Sequence, residues 1–281
     1  MSSVYSYIYK YISRSRTITS SIKAINYLTR SNKEKNLSFI FGCQRSGTTV
    51  LLKVLDKSIN AKAYGEGEEP YFHPKSSKLR LRLVSNKDIT RLLDKERCQN
   101  IILKPLYESQ RATELAGHFE QSRILWTYRN FNDSIDSHVR YYAKQDAVEY
   151  VRQIVGRERM WMNENIDREH LDELTPIING LDNPYDAYAV YWYSRNLQFK
   201  KLDGNPRVMP VKYERLVNDP VAYLPKIFRF LDLKFSEWMA TGIYTDAVNK
   251  RIDFQLRDDI KTKCEQLQAY LDSHESRKQN N

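Results

Sequence analysis

The chain has 281 residues, of which 41% are hydrophobic, and this length supports one large folded domain or at most two small ones. Its 45 Lys and Arg residues outnumber its 35 Asp and Glu residues, and the formal charge of +10 favours an anionic partner such as a charged cofactor or a polyanion. Three widely spaced cysteines argue against a disulfide framework or zinc knuckle, and the lack of a window of roughly 18 apolar residues argues against a membrane span, so we expect a cytoplasmic protein.

The first stretch of the chain carries apolar residues at helical spacing, namely Tyr5, Ile8, Tyr9 and Ile12. This spacing predicts a helical appendage over residues 1–35 that packs on the main domain or frays. A weak contact with a membrane surface is the alternative, because basic residues flank the apolar positions.

Residues 36–260 are predicted to form the main domain, because short apolar runs alternate there with amphipathic stretches. The predicted strands cover residues 37–42, 61–65, 100–105, 123–129 and 207–213. The predicted helices cover residues 48–58, 109–121, 131–145, 185–202 and 219–231. We therefore expect a single α/β domain with a central parallel sheet of about five strands flanked by helices, followed by a helix end and a solvated polar tail over residues 261–281.

The first predicted strand leads into GCQRSGTT, residues 42–49, whose two glycines have the spacing of a phosphate-binding loop. Such a loop holds an anion with backbone N–H groups and the positive end of a helix, and Arg45 adds a formal cation. Thr48 occupies the usual lysine position, and no predicted strand ends in an Asp that could hold Mg²⁺. This P-loop-like segment thus favours a phosphate ligand without metal-dependent triphosphate chemistry, and a plain helix N-cap is the alternative.

Further polar residues follow the later strands, where parallel sheets present functional groups. Lys104 ends the third strand, and a lysine that simply reaches solvent is the alternative. Arg129 ends the fourth strand, and Ser137 lies eight residues later in the next helix. This pair can converge on one phosphate, because arginine binds phosphate bidentately and serine donates one more hydrogen bond. Ser134, one helical turn earlier, is a neighbouring candidate.

Three segments in order resemble the signature segments of sulfotransferases that use 3′-phosphoadenosine 5′-phosphosulfate (PAPS), namely CQRSGTT, YRNFNDSIDS and VKYERLVNDP. The resemblance covers roughly residues 37–233 and implies that PAPS is the donor, 3′-phosphoadenosine 5′-phosphate (PAP) the product, and no metal is used. It implies that the 5′ end of the donor is held by Arg45, Ser46, Gly47, Thr48 and Thr49. It further implies that Arg129 and Ser137 hold the 3′-phosphate and that Tyr213 lines the nucleotide site.

The chemistry of sulfuryl transfer needs cations for the transferring group and a base for the acceptor's proton. By the resemblance Lys104 contacts the transferred group, and Arg45 is a second cation. Cytosolic members place a histidine two residues after this lysine, where this chain has Leu106. The acidic segment over residues 64–74 is similar to the part of tyrosyl-protein and heparan-type members that carries a catalytic glutamate. Glu69 is the expected base, Glu66 is its rival, His73 is a third candidate, and a merely solvated acidic loop is the alternative.

The expected function is a sulfotransferase that acts on a hydroxyl or amine of a small-molecule or carbohydrate acceptor. Residues 71–98, which are basic, and residues 141–184, which are rich in aromatic side chains, are expected to select that acceptor. A P-loop-type nucleotide kinase and a catalytically inactive nucleotide- or polyanion-binding module are the alternatives. No nucleic-acid partner is expected, because no recognition motif accompanies the basic residues.

Overall fold

A computed structural model describes residues 35–158, 160–243 and 254–280 and shows a five-stranded sheet in the order β2-β3-β1-β4-β5. All four neighbouring strand pairs are parallel. The strands are β1 (Asn36–Gly42), β2 (Ala61–Tyr64), β3 (Asn100–Leu103), β4 (Arg123–Tyr128) and β5 (Val208–Lys212). The predicted single α/β domain with a parallel sheet is thus confirmed. The expected helical appendage lies, except for residue 35, outside the described residues.

The described residues also form helices between and after the strands. These are α1 (Thr48–Leu55), α2 (Asn86–Lys95), α3 (Ala112–His118), α4 (Phe131–Tyr141), α5 (Ala147–Arg152), α6 (Arg168–Asn179), α7 (Pro184–Leu197), α8 (Tyr213–Asn218), α9 (Pro220–Phe230) and α10 (Asp258–Asn280). Short 3₁₀ helices cover Leu106–Arg111, Gln198–Leu202 and Glu237–Ala240. In the part of the chain that the structure covers, no helix is both long and apolar enough to cross a membrane.

The sheet is buried on both faces, which explains why its strands are nearly continuous apolar runs. Along β1, the side chains of Phe39 and Phe41 enter one core and that of Ile40 enters the other. Along β4, the side chain of Trp126 enters the first core and that of Leu125 enters the second. Helices α4, α7 and α10 cover the first face, and α1 and α9 cover the second. This alternation follows from the two-residue period of a strand.

The strand order places a switch point beside β1, where open parallel sheets bind their ligands. The chain leaves β1 toward β2 at one edge, returns to β3 beside β1, and then continues to β4 on the other side. The loops after β1, β3 and β4 therefore meet at the carboxyl end of the sheet. The predicted site residues follow these three strand ends and the ends of β2 and β5.

The helix boundaries differ from the predicted ones in several places. Residues 109–121 form part of a 3₁₀ helix and then α3, and residues 185–202 form α7 followed by a 3₁₀ turn. Helices α2, α5, α6 and α8 were not predicted, because their apolar stripes are short. Tyr213, predicted as the last residue of a strand, instead begins α8.

The expected solvated tail is wrong for residues 272–280, which continue α10. Asp272 accepts a hydrogen bond from the Tyr128 hydroxyl at 2.8 Å and pairs with Lys212 at 2.7 Å. Glu275 is buried and pairs with Arg215 at 3.4 Å. The polar composition suggested solvation, but Asp272 binds the ends of β4 and β5, and Glu275 pairs with a residue of α8.

Candidate active site

The loop after β1 is attached to the rest of the site by backbone contacts that only glycine permits. Gly42 has φ +135°, and a Cβ at this position would lie 2.0 Å from the Thr127 carbonyl oxygen. The Ser109 hydroxyl accepts a hydrogen bond from the Gly42 N–H at 3.2 Å and donates one to the Gly42 carbonyl at 3.1 Å. The loop therefore begins in close contact with the end of β4 and with the 3₁₀ helix that follows β3.

A second glycine brings the loop against the aromatic ring of Tyr213. Gly47 has φ +80°, and an added Cβ would lie 2.0 Å from Cδ2 of Tyr213. Arg45 also has a left-handed backbone, with φ +64°, a conformation that costs a non-glycine residue free energy. These two turns direct the loop into the N-terminus of α1.

The N-terminus of α1 has the properties of an anion site. No side chain caps the helix at Gly47, so its first N–H groups are available, and the helix dipole adds partial positive charge. Ser46 is fully buried, and its hydroxyl has no hydrogen-bond partner among the described residues. A buried hydroxyl without a partner costs about 1–3 kcal/mol, which a ligand oxygen would recover. Thr48 is buried in the first turn, and Thr49 is exposed.

The predicted second anion site adjoins this loop. Arg45 Nε donates a hydrogen bond to the Ser137 hydroxyl at 3.1 Å, and Arg129 Nη1 donates one to the Arg45 carbonyl at 3.3 Å. The Arg129 guanidinium lies 5.0 Å from the centre of the Tyr213 ring, within cation–π range. Arg129 also pairs with Asp133 at 3.8 Å. The structure thus brings together the loop, the end of β4, α4 and α8.

Burial shapes the ionisation of several groups around the loop. Burial lowers the pKa of Arg129, although the neighbouring Asp133 carboxylate opposes the shift. Burial raises the pKa of the Cys43 thiol to about 12, so this cysteine is a neutral core residue and not a nucleophile. Ser134, the neighbouring candidate on α4, is fully buried, and its carbonyl lies 2.8 Å from Nδ1 of His138. Its own hydroxyl has no partner among the described residues.

The acidic segment after β2 contributes one carboxylate to the site. Glu66 forms an ion pair with Lys104, and the Leu106 N–H donates to Glu66 Oε1 at 3.3 Å. The sheet register explains the meeting, because Tyr64 pairs with Leu103, which puts the residues that follow β2 and β3 side by side. Lys104 is only 6% exposed, so the pair lies largely away from solvent.

The other candidates of the acidic segment lie apart from Lys104. Glu69 is exposed and makes no hydrogen bond or ion pair within the described part of the chain. Glu68 accepts a hydrogen bond from the Gly65 N–H at 2.6 Å and so shapes its own loop. His73 is half-buried, and its backbone N–H binds the Arg82 carbonyl at 3.1 Å. The geometry therefore groups Glu66, and not the first-choice Glu69, with the lysine.

Several residues at the site were missed by the sequence analysis. The Tyr191 hydroxyl donates to Gln44 Oε1 at 2.6 Å, and the buried Arg195 donates to the Leu106 carbonyl. The rings of Tyr107 and Trp161 lie 4.4 Å apart beside Arg195. In the sequence, the signal for these residues is Arg195 within the aromatic run YAVYWYSRN, residues 188–196. The pattern of this run predicts a buried helix rather than a functional site.

The described residues include no group of three or more His, Cys, Asp or Glu side chains arranged to hold a metal ion. The chemical groups that meet at the carboxyl end of the sheet are instead backbone N–H groups, the cations Arg45, Arg129 and Lys104, and the carboxylates of Glu66 and Asp133, which pair with Lys104 and Arg129. This arrangement can bind a ligand with two separate anionic groups and place a carboxylate next to a cation.

Comparison with known proteins points to one family for most of the chain. A family model described as "Sulfotransferase domain" matches residues 35–279. The sulfotransferase domain from the curacin biosynthetic pathway superposes with a TM-score of 0.52 at 15% identity, covering 84% of this chain and 99% of that chain. The sulfotransferase domain from the Synechococcus PCC 7002 olefin synthase gives 0.49 at 16% identity, covering 85% and 97% of the two chains. A mouse sulfotransferase complexed with PAP gives 0.43 at 18% identity, covering 82% and 71%. No curated protein sequence matches the chain.

Proposed function

The chain belongs to the sulfotransferase family and is an enzyme of sulfuryl transfer, and on that premise we propose that its donor is PAPS and its acceptor a hydroxyl group. Members of this family use PAPS and release PAP. The observation that supports the proposal is the contact between Arg45 and Ser137, which joins the two elements that were predicted to bind anions. A donor that is phosphorylated at both ends needs two such elements at a fixed separation.

The residues fit this donor on two structural grounds. The buried Ser46 hydroxyl lacks a partner among the described residues, and the uncapped start of α1 offers N–H groups to an anion. We assign the 5′ end of the donor to the residues Arg45, Ser46, Gly47, Thr48 and Thr49. Arg129 and Ser137 would hold the 3′-phosphate, and Tyr213 would line the nucleotide site. PAPS supplies a sulfuryl group on a phosphate leaving group.

In the proposed reaction, an S–O bond forms to the acceptor oxygen while the bond from sulfur to the phosphate oxygen breaks. The acceptor's proton passes to Glu66, because this carboxylate is the one beside Lys104. Lys104 and Arg45 supply positive charge for the transferring group and the leaving oxygen. The exposed Glu69 is the second candidate for the base.

The acceptor side is supported by aromatic rings from the segment over residues 141–184 and from the 3₁₀ helix that follows β3. Tyr107 and Trp161 are in contact, and Tyr142 and Tyr150 lie on the segment that precedes Trp161. Aromatic faces suit a planar or ring-shaped acceptor, such as an aromatic compound or a sugar. A small-molecule or carbohydrate acceptor therefore remains the proposal, and a cytoplasmic location and the lack of a nucleic-acid partner remain predictions from composition.

Thermal denaturation with added nucleotide tests the proposal. PAP should raise the melting temperature more than AMP does, because PAP carries the 3′-phosphate that Arg129 and Ser137 would hold. A ligand at 100 times its Kd stabilises the folded state by about 2.7 kcal/mol. A larger rise with ATP and Mg²⁺ would instead favour the nucleotide kinase. Sulfate release from PAPS is then measured with and without EDTA, and we expect equal rates. PAP binding without any sulfate release would indicate the inactive module.

A further inference from the structure

Helix α7 carries a buried charge that the stability of the protein does not explain. Arg195 is 0% exposed, and its Nε and Nη1 atoms have no hydrogen-bond partner among the described residues. Its guanidinium lies 4.9 Å from the centre of the Trp161 ring, and no carboxylate in the described part of the chain pairs with it. Burying an unpaired ion costs folding free energy, and an apolar side chain of similar volume is often as stable or more so.

Among the described residues, the hydrogen bond that Arg195 donates leads to the proposed catalytic pair. Its Nη2 donates to the carbonyl of Leu106, while the N–H of the same residue donates to Glu66 Oε1 at 3.3 Å. Glu66 in turn pairs with Lys104, two residues before Leu106. Leu106 is therefore held at both polar atoms, by a cation on one side and by the proposed base on the other.

The neighbouring side chains of α7 reach the other parts of the site. The Tyr191 hydroxyl, one helical turn before Arg195, donates to Gln44 of the phosphate loop at 2.6 Å. The Trp192 indole donates to the Arg129 carbonyl at 3.1 Å. One rigid helix thus contacts the segments that follow β1, β3 and β4, and Arg195 is its contact with the β3 segment.

We propose that Arg195 is a positioning residue for sulfuryl transfer, which holds the Leu106 carbonyl and thereby sets Lys104 and Glu66 against the donor loop. This role rests on the proposed function. The guanidinium is suited to it because its planar fork is pre-organised, so less side-chain freedom is lost for each hydrogen bond formed. Misplacement of catalytic groups by about 1 Å can reduce a rate by roughly 100-fold, so one hydrogen bond can control turnover.

The test uses the full chain, with PAPS as donor and water as the acceptor, and follows the release of sulfate. In Arg195→Met we expect a fall in turnover of roughly 10- to 100-fold. The melting temperature and the affinity for PAP should change little, because Arg195 touches neither anion-binding element. Arg195→Lys should recover part of the rate, since an ammonium can still donate to the Leu106 carbonyl.

The matched control is Asn196→Ala on the same helix. Asn196 is equally buried and accepts a hydrogen bond from the Trp126 indole at 3.2 Å, but it contacts none of the segments that carry the proposed site. A loss of turnover in Arg195→Met that merely follows its loss of thermal stability, as in Asn196→Ala, would overturn the positioning role. Wild-type protein that neither binds PAP nor releases sulfate would instead overturn the proposed function itself.

Discussion

At the scale of single residues, the phosphate loop depends on the absence of a side chain at Gly47. Its φ of +80° is a left-handed conformation, and the Tyr213 ring occupies the space where a Cβ would lie. Two constraints therefore act at one position. Any side chain would strain the backbone and also push away the ring that Arg129 contacts.

Gly47→Ala should reduce both stability and affinity for PAP. The left-handed backbone alone costs an alanine about 1–2 kcal/mol, and displacement of Tyr213 adds a loss of nucleotide contact. The matched control is Gly204→Ala, because Gly204 has φ +77° but open space around the new methyl group. Denaturant unfolding and PAP titration measure both effects. Equal PAP affinity in the two variants would show that the contact between Gly47 and Tyr213 is not part of the nucleotide site.

The choice between the two glutamates is a second question at the residue scale. Glu66→Gln should lower the rate of sulfate transfer by about 10²- to 10⁴-fold, the range for loss of a general base, while Glu69→Gln stays near wild type. Melting temperatures are measured alongside, because Glu66→Gln leaves Lys104 without its counter-ion. A large loss in Glu69→Gln with a nearly active Glu66→Gln would reverse the assignment, and two active variants would remove both candidates.

At the scale of elements, α4 carries both Ser137, which we propose binds the donor, and the buried residue His138. The helix begins at an Asn130 cap whose side chain accepts from Asn132 N–H at 3.0 Å, and the Glu214 carboxylate binds the Asn130 N–H at 2.9 Å. Burial raises the pKa of Glu214. One turn before the end of the helix, His138 is completely enclosed and stacks 5.1 Å from the Tyr188 ring. The position of Ser137 thus depends on a helix that is anchored on both sides.

The burial of His138 predicts that acid weakens the fold. Burial lowers its pKa to about 3, whereas an unfolded chain has a histidine pKa of about 6.5. The unfolded state therefore takes up a proton first as the pH falls, so the stabilising contribution is complete above pH 6.5 and is lost toward pH 3. The expected loss is about 2 kcal/mol at pH 5 relative to neutral pH.

The measurement is the free energy of unfolding at several pH values for the wild type and for His138→Gln. The variant should lose less stability between neutral pH and pH 5, whatever its stability at neutral pH. His118→Gln, which removes an exposed imidazole, should keep the wild-type pH dependence. Parallel pH curves for wild type and His138→Gln would contradict the assignment of acid sensitivity to this residue.

At the scale of the whole molecule, α10 closes the first core and binds the end of the sheet. Its residues Ile260, Cys264, Leu267 and Leu271 enter the same core as Phe39, Phe41 and Trp126. Its Gln268 side chain accepts from the Phe131 N–H at 3.0 Å, at the start of α4. The C-terminal helix therefore supports the same helix that carries Ser137.

Asp272→Ala should destabilise the protein by about 1–3 kcal/mol, because the buried Tyr128 hydroxyl would lose its acceptor and Lys212 its counter-ion. Asp259→Ala is the control on the same helix, since Asp259 forms an exposed pair with Arg257. Denaturant midpoints report the difference. If Asp272→Ala lowers the free energy of unfolding by the same small amount as Asp259→Ala, the end of α10 behaves as the solvated tail that composition suggested.

The apolar runs of the sequence determined the five strands to within about two residues, because strands buried on both faces read as short continuous hydrophobic segments. The glycine spacing of GCQRSGTT and the eight-residue distance from Arg129 to Ser137 likewise predicted the two elements that we propose bind anions. These features are local, since each one depends on residues that are close along the chain. Helix α10 shows the limit of such reasoning. It is polar in composition, yet its few apolar side chains enter the first core and its Asp272 pairs with Lys212 of β5.

Only the tertiary structure decided which carboxylate lies beside Lys104 and which helix contacts the segments after β1, β3 and β4. Glu66 meets Lys104 because β2 and β3 are neighbours in the register that pairs Tyr64 with Leu103. This register depends on the strand order and cannot be read from the spacing of residues 64–74. Tyr191, Trp192 and Arg195 contact the segments after three strands because α7 crosses the first face of the sheet. Contacts of this kind join residues far apart in the chain, and their geometry is set by strand order and packing rather than by local spacing.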